Sequence, residues 1–322
     1  MEINDKIILV TGAAGFIGFH LSRKLLEMGT GVIGIDNLNS YYDVNLKMNR
    51  LEILRSYDDF VFYKEDIQNL QALKNIFFQN RISIICNLAA QAGVRYSMED
   101  PFSYEKSNLK GFLNLLETAR KFGTENFVYA SSSSVYGDNK KTPFSINDMT
   151  DSPISLYGAT KKANELIAYA YSHLYSIPCT GLRYFTVYGP WGRPDMALFL
   201  FTDAILKKRP IKVYNYGNMK RDFTYIDDIV EGTIAALKRP ASHEIFNLGN
   251  SKPVQLLEFI SILERELDQK AEKNMLPMQP GDVPETSAEI TRSTELLGFQ
   301  PKTSVAEGIK RFVAWYRDYY IV

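Results

Sequence analysis

Residues 6–18 of the chain read Lys-Ile-Ile-Leu-Val-Thr-Gly-Ala-Ala-Gly-Phe-Ile-Gly. The apolar run at the start of this segment has the length of a buried strand, and the amphipathic pattern after the glycines is typical of a helix. In such a strand–turn–helix, Gly12 permits the sharp turn, Gly15 lets the backbone approach a pyrophosphate, and Gly18 lets the helix pack on the strand. The free N–H groups at the start of the helix favour a phosphate. The segment therefore predicts a dinucleotide-binding turn.

A second apolar run, residues 31–35, ends at Asp36, roughly twenty residues beyond the glycine cluster. A carboxylate in this place binds the hydroxyl groups of the adenosine ribose. It also repels the additional phosphate of NADP, and no arginine follows in residues 37–39 to attract that phosphate. We therefore predict NAD as the cofactor. A solvated acid at the end of a strand, the alternative interpretation of Asp36, leaves this preference unexplained.

Strand-like apolar runs alternate with helical patterns through the first half of the chain. The runs lie at 60–63, 82–86, 127–130 and 180–183, and the helical patterns near 69–79, 104–122 and 157–176. Strand, helix and strand repeated in this way imply a parallel sheet that is covered on both faces. The predicted fold class is therefore α/β, a Rossmann-type doubly wound parallel sheet with a smaller, mostly C-terminal substrate-binding lobe.

The residue pattern changes near residue 188, where predicted short strands, glycines and prolines replace the long apolar runs. A late apolar run, residues 245–248, is predicted to return to the main sheet, so the small lobe is expected to be discontinuous. We expect an NAD-binding domain of residues 1–187, with 224–249 returning to it, and a substrate-binding lobe of residues 188–223 and 250–322.

Composition and charge exclude several classes of protein. The 322 residues carry 37 basic and 37 acidic side chains, so neither a nucleic acid nor a membrane surface is expected as a partner. Cys86 and Cys179 both lie in apolar strand-like runs, which favours buried reduced thiols in a cytoplasmic protein. The first strand begins too close to Met1 for a signal peptide, and no apolar run reaches the length of a membrane span. The three histidines are scattered without paired ligand spacing, so no metal is predicted.

A tyrosine and a lysine suggest acid–base chemistry. Tyr157 and Lys161 are four residues apart, so they share one face of a helix. A nearby ammonium and an oxidised nicotinamide favour the phenolate and make tyrosine a base near neutral pH. The same spacing occurs at Tyr136–Lys140 and Tyr216–Lys220, but both of these segments contain turn residues. Spacing alone is as compatible with a structural pair as with a catalytic one. The serines at 131–134 favour the catalytic interpretation, because they bring hydroxyl groups to the same edge of the sheet.

Taken together, these motifs resemble the extended short-chain dehydrogenase/reductase family, and most closely its nucleotide-sugar epimerases and dehydratases. The resemblance rests on the glycine triplet, the serine run that leads into Val135-Tyr136-Gly137, and the Tyr-x-x-x-Lys motif. It extends over essentially the whole chain, including Arg221-Asp222-Phe223 and residues 280–284. The resemblance implies that the second lobe binds a nucleotide sugar carrying uridine diphosphate.

The family's motifs imply roles for the residues that match them. The catalytic residues would be Ser132, Tyr157 and Lys161. The residues that bind NAD would be Gly12, Gly15, Phe16, Ile17, Gly18, Asp36, Asn37, Asp66, Ile67, Leu88, Ala89 and Lys161. The residues that bind the sugar nucleotide would be Ser133, Ser134, Thr186, Arg193, Arg221 and Asp282. Arg95 is added to this group only because it lies in the loop after the fourth predicted strand. Gln279 departs from the family, in which an arginine is frequent at this position, and is left unassigned. Relatives pair the helices near 104–122 and 157–176 into a dimer bundle, which implies a homodimer.

Residues 183–196 are the most specific segment for the substrate. They read Arg-Tyr-Phe-Thr-Val-Tyr-Gly-Pro-Trp-Gly-Arg-Pro-Asp-Met and resemble the same segment of UDP-glucuronate 4-epimerases. A uronic acid needs a partner for its C6 carboxylate, and guanidinium is the natural bidentate one. We predict this role for Arg193, assisted by the hydroxyl groups of Thr186 and Ser134. Spacing leaves open that Arg193 only braces its loop.

The expected activity is conversion of UDP-glucuronate to UDP-galacturonate through a transient 4-keto sugar, with no net redox change. The alternatives are a UDP-glucuronate decarboxylase, which usually carries a glutamate in the strand-end cluster, and a UDP-glucose 4-epimerase, which does not require Arg193. A dehydratase is set aside because Ser133 and Ser134 stand where its acidic pair is expected. A non-enzymatic NAD-binding regulator is disfavoured because it could dispense with Tyr157 and Lys161.

Overall fold

The computed structural model describes residues 1–321, along which strands and helices alternate. The strands are β1 Ile7–Thr11, β2 Gly31–Ile35, β3 Phe60–Tyr63, β4 Ile82–Asn87, β5 Asn126–Ser132, β6 Cys179–Tyr184, β7 Thr186–Tyr188, β8 Ile211–Val213, β9 Lys220–Arg221, β10 Phe223–Tyr225, β11 His243–Leu248, β12 Val254–Gln255 and β13 Lys273–Met275. The α-helices are α1 Phe16–Glu27, α2 Val44–Arg55, α3 Leu70–Gln79, α4 Tyr96–Glu99, α5 Pro101–Tyr104, α6 Phe112–Phe122, α7 Leu156–Tyr175, α8 Ala197–Leu206, α9 Ile226–Leu237, α10 Leu256–Leu267, α11 Thr291–Leu297 and α12 Val305–Tyr320.

The main sheet has seven parallel strands in the order β11-β6-β5-β4-β1-β2-β3. The interior strand β1 is apolar from Ile7 to Val10 because both of its faces are covered. Ile8 and Val10 pack into the core that contains residues of α1 and α9, whereas Leu9 packs into the core that contains residues of α3 and α6. The predicted fold class is thereby confirmed.

Strand order reverses on either side of β1, because the chain proceeds to β2 on one side and to β4 on the other. In sheets of this kind, ligands bind in the crevice beyond the carboxyl ends of the strands at such a reversal. The late strand that the sequence predicted at 245–248 extends over β11 and pairs with β6 in parallel. The long crossover from residue 104 to 122 is not one regular α-helix, since a π-helical turn at Glu105–Gly111 joins α5 to α6.

Three two-stranded sheets lie outside the main sheet: β7 with β10, β9 with β12, and β8 with β13. Asp222, fully buried between β9 and β10, ties them to two distant loops. Its carboxylate accepts hydrogen bonds from the backbone N–H groups of Asn250 (2.6 Å), Ser251 (3.0 Å) and Ala288 (2.9 Å). This explains why a carboxylate follows Arg221 in the sequence. Among residues 1–321, no helix is both long enough and apolar enough to span a bilayer.

Candidate active site

A cavity of about 1270 Å³ opens at the carboxyl ends of the central strands, between the main sheet and the small sheets. Every site residue predicted from the sequence lines it. These residues are Gly12, Gly15, Phe16, Ile17, Gly18, Asp36, Asn37, Asp66, Ile67, Leu88, Ala89, Arg95, Ser132, Ser133, Ser134, Tyr157, Lys161, Thr186, Arg193, Arg221 and Asp282. The fold therefore brings segments from across the chain to a single cleft.

The turn between β1 and α1 can be formed only by glycine at two of its positions. Gly12 has a φ of +70°, and its N–H donates to the carbonyl of Ile35 at 2.7 Å. A Cβ on Gly18 would lie 2.0 Å from the Gly12 carbonyl oxygen, well inside van der Waals contact. Helix α1 therefore packs directly on the turn, and the glycines at 12, 15 and 18 line the cavity at the start of a helix, where a pyrophosphate is favoured.

A carboxylate cluster lies beyond the turn, at the end of β2. Asp36 accepts hydrogen bonds from the N–H groups of Ala14 (3.2 Å) and Leu38 (2.8 Å). Burial raises the pKa of Asp36, although these donors and the nearby Lys47 ammonium act in the opposite direction. Asn37 donates its side-chain amide to Asp66 at 2.8 Å. The cluster presents carboxylate acceptors for ribose hydroxyls.

The predicted catalytic pair, Tyr157 and Lys161, lies at the start of α7. Ser155 caps this helix, because its hydroxyl accepts the N–H of Gly158 at 3.0 Å. Burial lowers the pKa of Lys161 to about 8, and its ammonium donates to the carbonyl of Ala130 at 2.9 Å. The same nitrogen lies 5.9 Å from the ring centre of Tyr157.

Opposing influences act on the phenol of Tyr157. Burial raises its pKa, while the Arg193 cation and a hydrogen bond with Ser132 lower it. Ser132 itself ends β5, and its hydroxyl accepts the N–H of Ser134 at 3.1 Å. A bound cation near the phenol would tip this balance further towards the phenolate. The arrangement is therefore suited to reversible proton transfer at one sugar hydroxyl.

A buried ion pair fixes the catalytic helix to the sheet. Glu165, one turn beyond Lys161 on α7, receives two hydrogen bonds from Arg183 of β6, each 2.9 Å long. Ser131 of β5 donates a third at 2.6 Å. Sequence analysis missed this role of Glu165 and Arg183, although the spacing of Glu165 from Lys161 already placed it on the same face of the helix.

The π-helical turn supplies a second anchor for the same helix. The side chain of Asn108 accepts the N–H of Gln91 at 2.8 Å and donates to the hydroxyl of Thr160 at 3.0 Å. Its backbone carbonyl accepts the side-chain amide of Asn164 at 2.6 Å. The turn therefore links α7 to the cavity-lining loop after β4, which agrees with the frequent occurrence of such turns at functional sites.

Arg193 reaches the cavity in a paired state. Its Nε and Nη2 donate to the two carboxylate oxygens of Asp195, at 3.0 and 2.5 Å. The hydroxyl of Tyr41 donates to the same carboxylate at 3.1 Å. Burial lowers the pKa of Arg193, but the attraction of Asp195 outweighs it, so the pKa is raised overall. Arg193 thus braces its loop and also faces the cavity close enough to Tyr157 to influence its pKa.

A further charged group lines the far end of the cavity. Arg95 lies 3.7 Å from the carboxylate of Asp282, and its guanidinium stacks 4.9 Å above the ring centre of Tyr214. Burial lowers the pKa of Arg221, attraction to Asp282 raises it, and repulsion from Arg95 lowers it further. Two arginines with one carboxylate leave a net positive charge, which suits a diphosphate. Arg95 had been predicted from its loop position alone, and the structure brings it to this group.

One functional candidate has no counterpart in the sequence analysis. Arg50 on α2 is fully buried, and its guanidinium donates to the carbonyls of Ala14 (2.8 Å) and Trp191 (2.5 Å). It therefore ties the glycine turn directly to the loop that carries Arg193. A buried arginine on an otherwise ordinary helix has no distinctive sequence pattern, so only the structure reveals it.

Among residues 1–321, no histidine lines the cavity. Burial lowers the pKa of His20 to about 3, and its ring pairs with the carbonyl of Pro190 at 2.9 Å. Within residues 1–321, no three His, Cys, Asp or Glu side chains are grouped so that they could hold a metal ion.

Comparison with known proteins relates these features to enzymes of known activity. Residues 8–249 match the model of the NAD dependent epimerase/dehydratase family. The chain is 49% identical over 335 residues to UDP-glucuronate 4-epimerase 4 of Arabidopsis thaliana, an alignment that covers 98% of this chain and 76% of that protein.

Solved structures show the same relationship. The fold is similar to that of UDP-glucuronic acid 4-epimerase from Bacillus cereus in complex with UDP-glucuronic acid and NAD, with a TM-score of 0.92 and 36% identity over 98% of this chain and 100% of that one. It is also similar to a UDP-glucose 4-epimerase from Thermotoga maritima with UDP-glucose, with a TM-score of 0.88, 33% identity, and coverage of 98% and 99%. These alignments and the family match identify the chain as a member of the NAD dependent epimerase/dehydratase family, the extended short-chain dehydrogenases/reductases that its motifs resemble.

Proposed function

We propose that this protein is an NAD-dependent UDP-glucuronate 4-epimerase, which interconverts UDP-glucuronate and UDP-galacturonate. One observation carries the proposal: a permanently charged guanidinium, Arg193, shares the cavity with the Tyr157–Lys161 pair and lies near the phenol. A neutral hexose has no use for a cation beside its reacting carbon, whereas a uronic acid does. The relatives from Arabidopsis thaliana and Bacillus cereus support the same conclusion.

The residues at the carboxyl end of β1 fit NAD. The glycines of the turn and of the start of α1 line the cavity where the pyrophosphate would lie, and Asp36 offers acceptors for the adenosine ribose. Asn37, Asp66, Ile67, Leu88 and Ala89 line the adenosine side of the cavity. When bound, NAD supplies the hydride acceptor and donor for C4 of the sugar.

Tyr157 removes the proton of the C4 hydroxyl as C4 is oxidised, and returns it when C4 is reduced on the opposite face. Ser132, within hydrogen-bond reach of the phenol, relays or steadies that proton. Lys161 stabilises the phenolate through its ammonium, which the Ala130 carbonyl holds in place. No group is left altered after a full cycle, as an isomerase requires.

The remaining site residues hold the substrate at its two ends. Arg95 and Arg221, with Asp282, bind the diphosphate side, so that the 4-keto sugar turns about this tether between oxidation and reduction. Arg193, with the hydroxyl of Thr186 and the serines at 133 and 134, binds the C6 carboxylate. The 4-keto uronate is a β-keto acid and can lose CO2. A held carboxylate keeps the C5–C6 bond out of line with the ketone π system and so prevents this loss.

Product analysis tests this assignment. The purified protein is incubated with UDP-glucuronate and the products are followed by NMR, with Tyr157→Phe as the inactive control. We expect UDP-galacturonate without CO2 from the wild type and a loss of roughly 10²–10⁴ in rate for Tyr157→Phe. A UDP-pentose with CO2 would show a decarboxylase, and interconversion of UDP-glucose and UDP-galactose alone would show that the carboxylate site is misassigned.

We also propose that the protein is a homodimer whose subunits pair through α6 and α7. The two helices are neighbours, since the hydroxyl of Tyr171 on α7 donates to Glu117 on α6 at 2.8 Å. Together they expose Leu113, Leu166 and other large apolar side chains, an arrangement that a second copy would cover. Leu166→Asp is expected to shift the sedimenting mass from twice the 36.7 kDa chain to the chain mass, whereas Leu296→Asp on α11 is not. A wild type that sediments as a single chain contradicts the proposal.

A cytoplasmic location is proposed as well. It is supported by Cys86 and Cys179, which are buried thiols in the main sheet. Cell fractionation tests it, and recovery of the protein outside the cytoplasmic fraction contradicts it.

Finally, we propose the division into an NAD-binding domain of residues 1–187 and 224–249 and a nucleotide-sugar lobe of residues 188–223 and 250–322. The pairing of β11 with β6 supports it, because this strand belongs to the main sheet. Bound UDP-sugar is expected to slow hydrogen exchange mainly in the second set of residues, and NAD mainly in the first.

A further inference from the structure

We propose that Asp195 and Tyr41 are positioning residues that set the orientation of Arg193, so that it turns the side carrying Nη1 towards the substrate carboxylate. The inference rests on the proposed function and extends it. It assigns a task to two side chains that neither the sequence motifs nor the proposed mechanism use.

The contacts of the guanidinium define which part of it remains for a ligand. Nε and Nη2 of Arg193 both bind the carboxylate of Asp195. Among the residues from 1 to 321, none accepts a hydrogen bond from Nη1. The Nε–Nη2 edge of the guanidinium is therefore already taken by the protein, and a substrate carboxylate meets the other side, which carries Nη1 and the second N–H of Nη2.

The backbone at Gly93 leaves space for the side chains of Tyr41 and Arg193. Gly93 has a φ of +106°, and a Cβ there would lie 2.9 Å from the hydroxyl oxygen of Tyr41 and 3.9 Å from Nη2 of Arg193. Any other residue at position 93 would strain the backbone and push Tyr41 away from Asp195. The structure thus keeps open the space that the Tyr41–Asp195–Arg193 group fills.

A row of aromatic rings connects this group to the catalytic tyrosine. The ring centres of Tyr41 and Tyr96 are 4.8 Å apart, those of Tyr96 and Tyr104 are 6.4 Å apart, and those of Tyr104 and Tyr157 are 6.2 Å apart. Tyr104 also donates to the carbonyl of Gly93 at 2.5 Å. Packed tyrosine rings therefore connect the Arg193 group to Tyr157, although these residues come from distant segments of the chain.

A weakened contact suits a substrate that must turn within the site. A guanidinium without a protein partner would bind the uronate with its full charge and hold it strongly in one pose. With Asp195 on the Nε–Nη2 edge, the attraction is partly neutralised and the carboxylate can leave and rebind during rotation. The direction of Nη1 still decides how the C5–C6 bond lies relative to the C4 ketone.

If Arg193 no longer orients the substrate carboxylate, the 4-keto intermediate can lose CO2, and the amount of CO2 lost can be measured. In the 4-keto uronate the C5–C6 bond breaks, its electron pair forms the C4–C5 enolate, and CO2 leaves. A proton then adds to C5 and gives a 4-keto pentose, so the step needs no oxidant beyond the C4 oxidation that precedes it. The fraction of substrate that loses CO2 is therefore a readout of carboxylate orientation that a change in stability alone does not move.

The test compares Asp195→Asn and Tyr41→Phe with the wild type on UDP-glucuronate. NMR gives the ratio of pentose product to UDP-galacturonate, and KM and kcat are measured for each protein. For Asp195→Asn we expect the ratio to rise about tenfold or more and kcat to fall about tenfold, since the guanidinium loses its charged anchor. Tyr41→Phe removes one hydrogen bond and is expected to move the ratio in the same direction, by about threefold.

The chain provides a matched control in the group Tyr316, Asp203 and Arg209. Here, too, a tyrosine hydroxyl and an arginine bind one aspartate, with the tyrosine at 3.2 Å. Asp203→Asn and Tyr316→Phe make the same chemical changes outside the Arg193 group, and the product ratio is expected to stay at the wild-type value.

The outcomes separate this inference from the proposed function. A wild type that fails to epimerise UDP-glucuronate refutes the function itself. An active wild type with a folded Asp195→Asn variant of unchanged product ratio refutes the inference alone. If Asp195→Asn does not fold, Tyr41→Phe decides: an unchanged product ratio in that variant rules out the positioning role.

Discussion

Two cations lie near Tyr157, the proposed catalytic base, and they differ in what neutralises them. Lys161 is buried, and the Arg193 side chain is 21% exposed. Lys161 donates to a neutral carbonyl, that of Ala130, and burial lowers its pKa to about 8. Arg193 donates twice to the carboxylate of Asp195, whose attraction outweighs burial and raises its pKa. Burial therefore lowers the pKa of Lys161 without compensation, whereas at Arg193 the attraction of Asp195 offsets the effect of burial.

The difference matches the tasks proposed for Lys161 and Arg193. A lysine that is held near its pKa can respond to the charge on Tyr157 as the phenol loses and regains its proton. An arginine paired with an acid stays charged at any pH the protein meets, so it can serve recognition but not proton transfer. We therefore propose that the presence or absence of a carboxylate beside the cation distinguishes the group used for recognition, Arg193, from the group used for proton transfer, Lys161.

Removing the unpaired cation is expected to have the largest effect. Lys161→Met should lower kcat by roughly 10²–10⁴, because the phenolate loses its stabilising charge. The rate of UDP-galacturonate formation measures this. Lys162→Met is the control, because its ammonium binds Thr150 instead and its loss should change kcat by no more than about threefold. A Lys161→Met variant with nearly wild-type kcat would remove the distinction between the two cations.

A second paired arginine allows the comparison to be tested by stability. Arg183 and Glu165 are both about 4% exposed and form the ion pair that fixes α7 to the sheet. Glu165→Gln leaves the Arg183 cation buried without a charge partner, so the free energy of unfolding should fall by about 3–5 kcal/mol. Denaturant unfolding measures the loss.

The control for this change is an exposed pair. Asp227 lies 3.8 Å from Arg311 at the surface, and Asp227→Asn should cost less than about 1 kcal/mol. Equal losses for the two variants would contradict the view that the buried carboxylate is what makes the cation tolerable.

Local motifs allowed one part of the site to be predicted from sequence. Gly12, Gly15 and Gly18 follow one strand directly, and Asp36 follows the next strand. Tyr157 and Lys161 are separated by one helical turn. In each case the fold class fixes the geometry, because the residues belong to one strand–turn–helix unit or one helix. The family match and the seven-stranded sheet confirm the fold and the family that these motifs indicated.

The other part depends on contacts between distant segments. Tyr41 reaches Asp195 across 154 positions of sequence, and Arg50 reaches Trp191 across 141. Neither pair has a local pattern, because its members are brought together only by packing of the loops over the carboxyl ends of the strands. The sequence therefore indicated that Arg193 would face a carboxylate, but not that the protein provides one of its own.

The pH dependence of stability sharpens the comparison for Lys161. Its pKa is lowered from 10.5 to about 8 in the folded protein, so between these values the folded state binds fewer protons than the unfolded state. Stability from this group therefore rises with pH through that window, and below about pH 8 the buried charge costs about 3 kcal/mol.

Lys161→Met should accordingly be more stable than the wild type at pH 7, and the difference should shrink as the pH rises from about 8 to 10.5. Denaturant unfolding at a series of pH values measures it. The exposed Lys121 provides the control, because Lys121→Met should show a difference that does not depend on pH. A constant difference for Lys161→Met would mean that the lysine is not held near its pKa.

The smallest expected effect concerns a buried carboxylate between two cations. Asp36 lies close enough to Lys47 and Arg50 that both oppose the rise of its pKa on burial. Asp36→Ser removes the negative charge and leaves these cations, so the affinity ratio of NADP to NAD should rise about tenfold, or about 1.4 kcal/mol. Isothermal titration of the cofactor-free protein measures both affinities. Asp66→Ser should weaken both cofactors without changing their ratio, because Asp66 contacts Asn37 and not the glycine turn. If Asp36→Ser left the ratio unchanged while NAD still bound, the preference would have to arise from the shape of the cavity, since the charge at position 36 would then play no part in it.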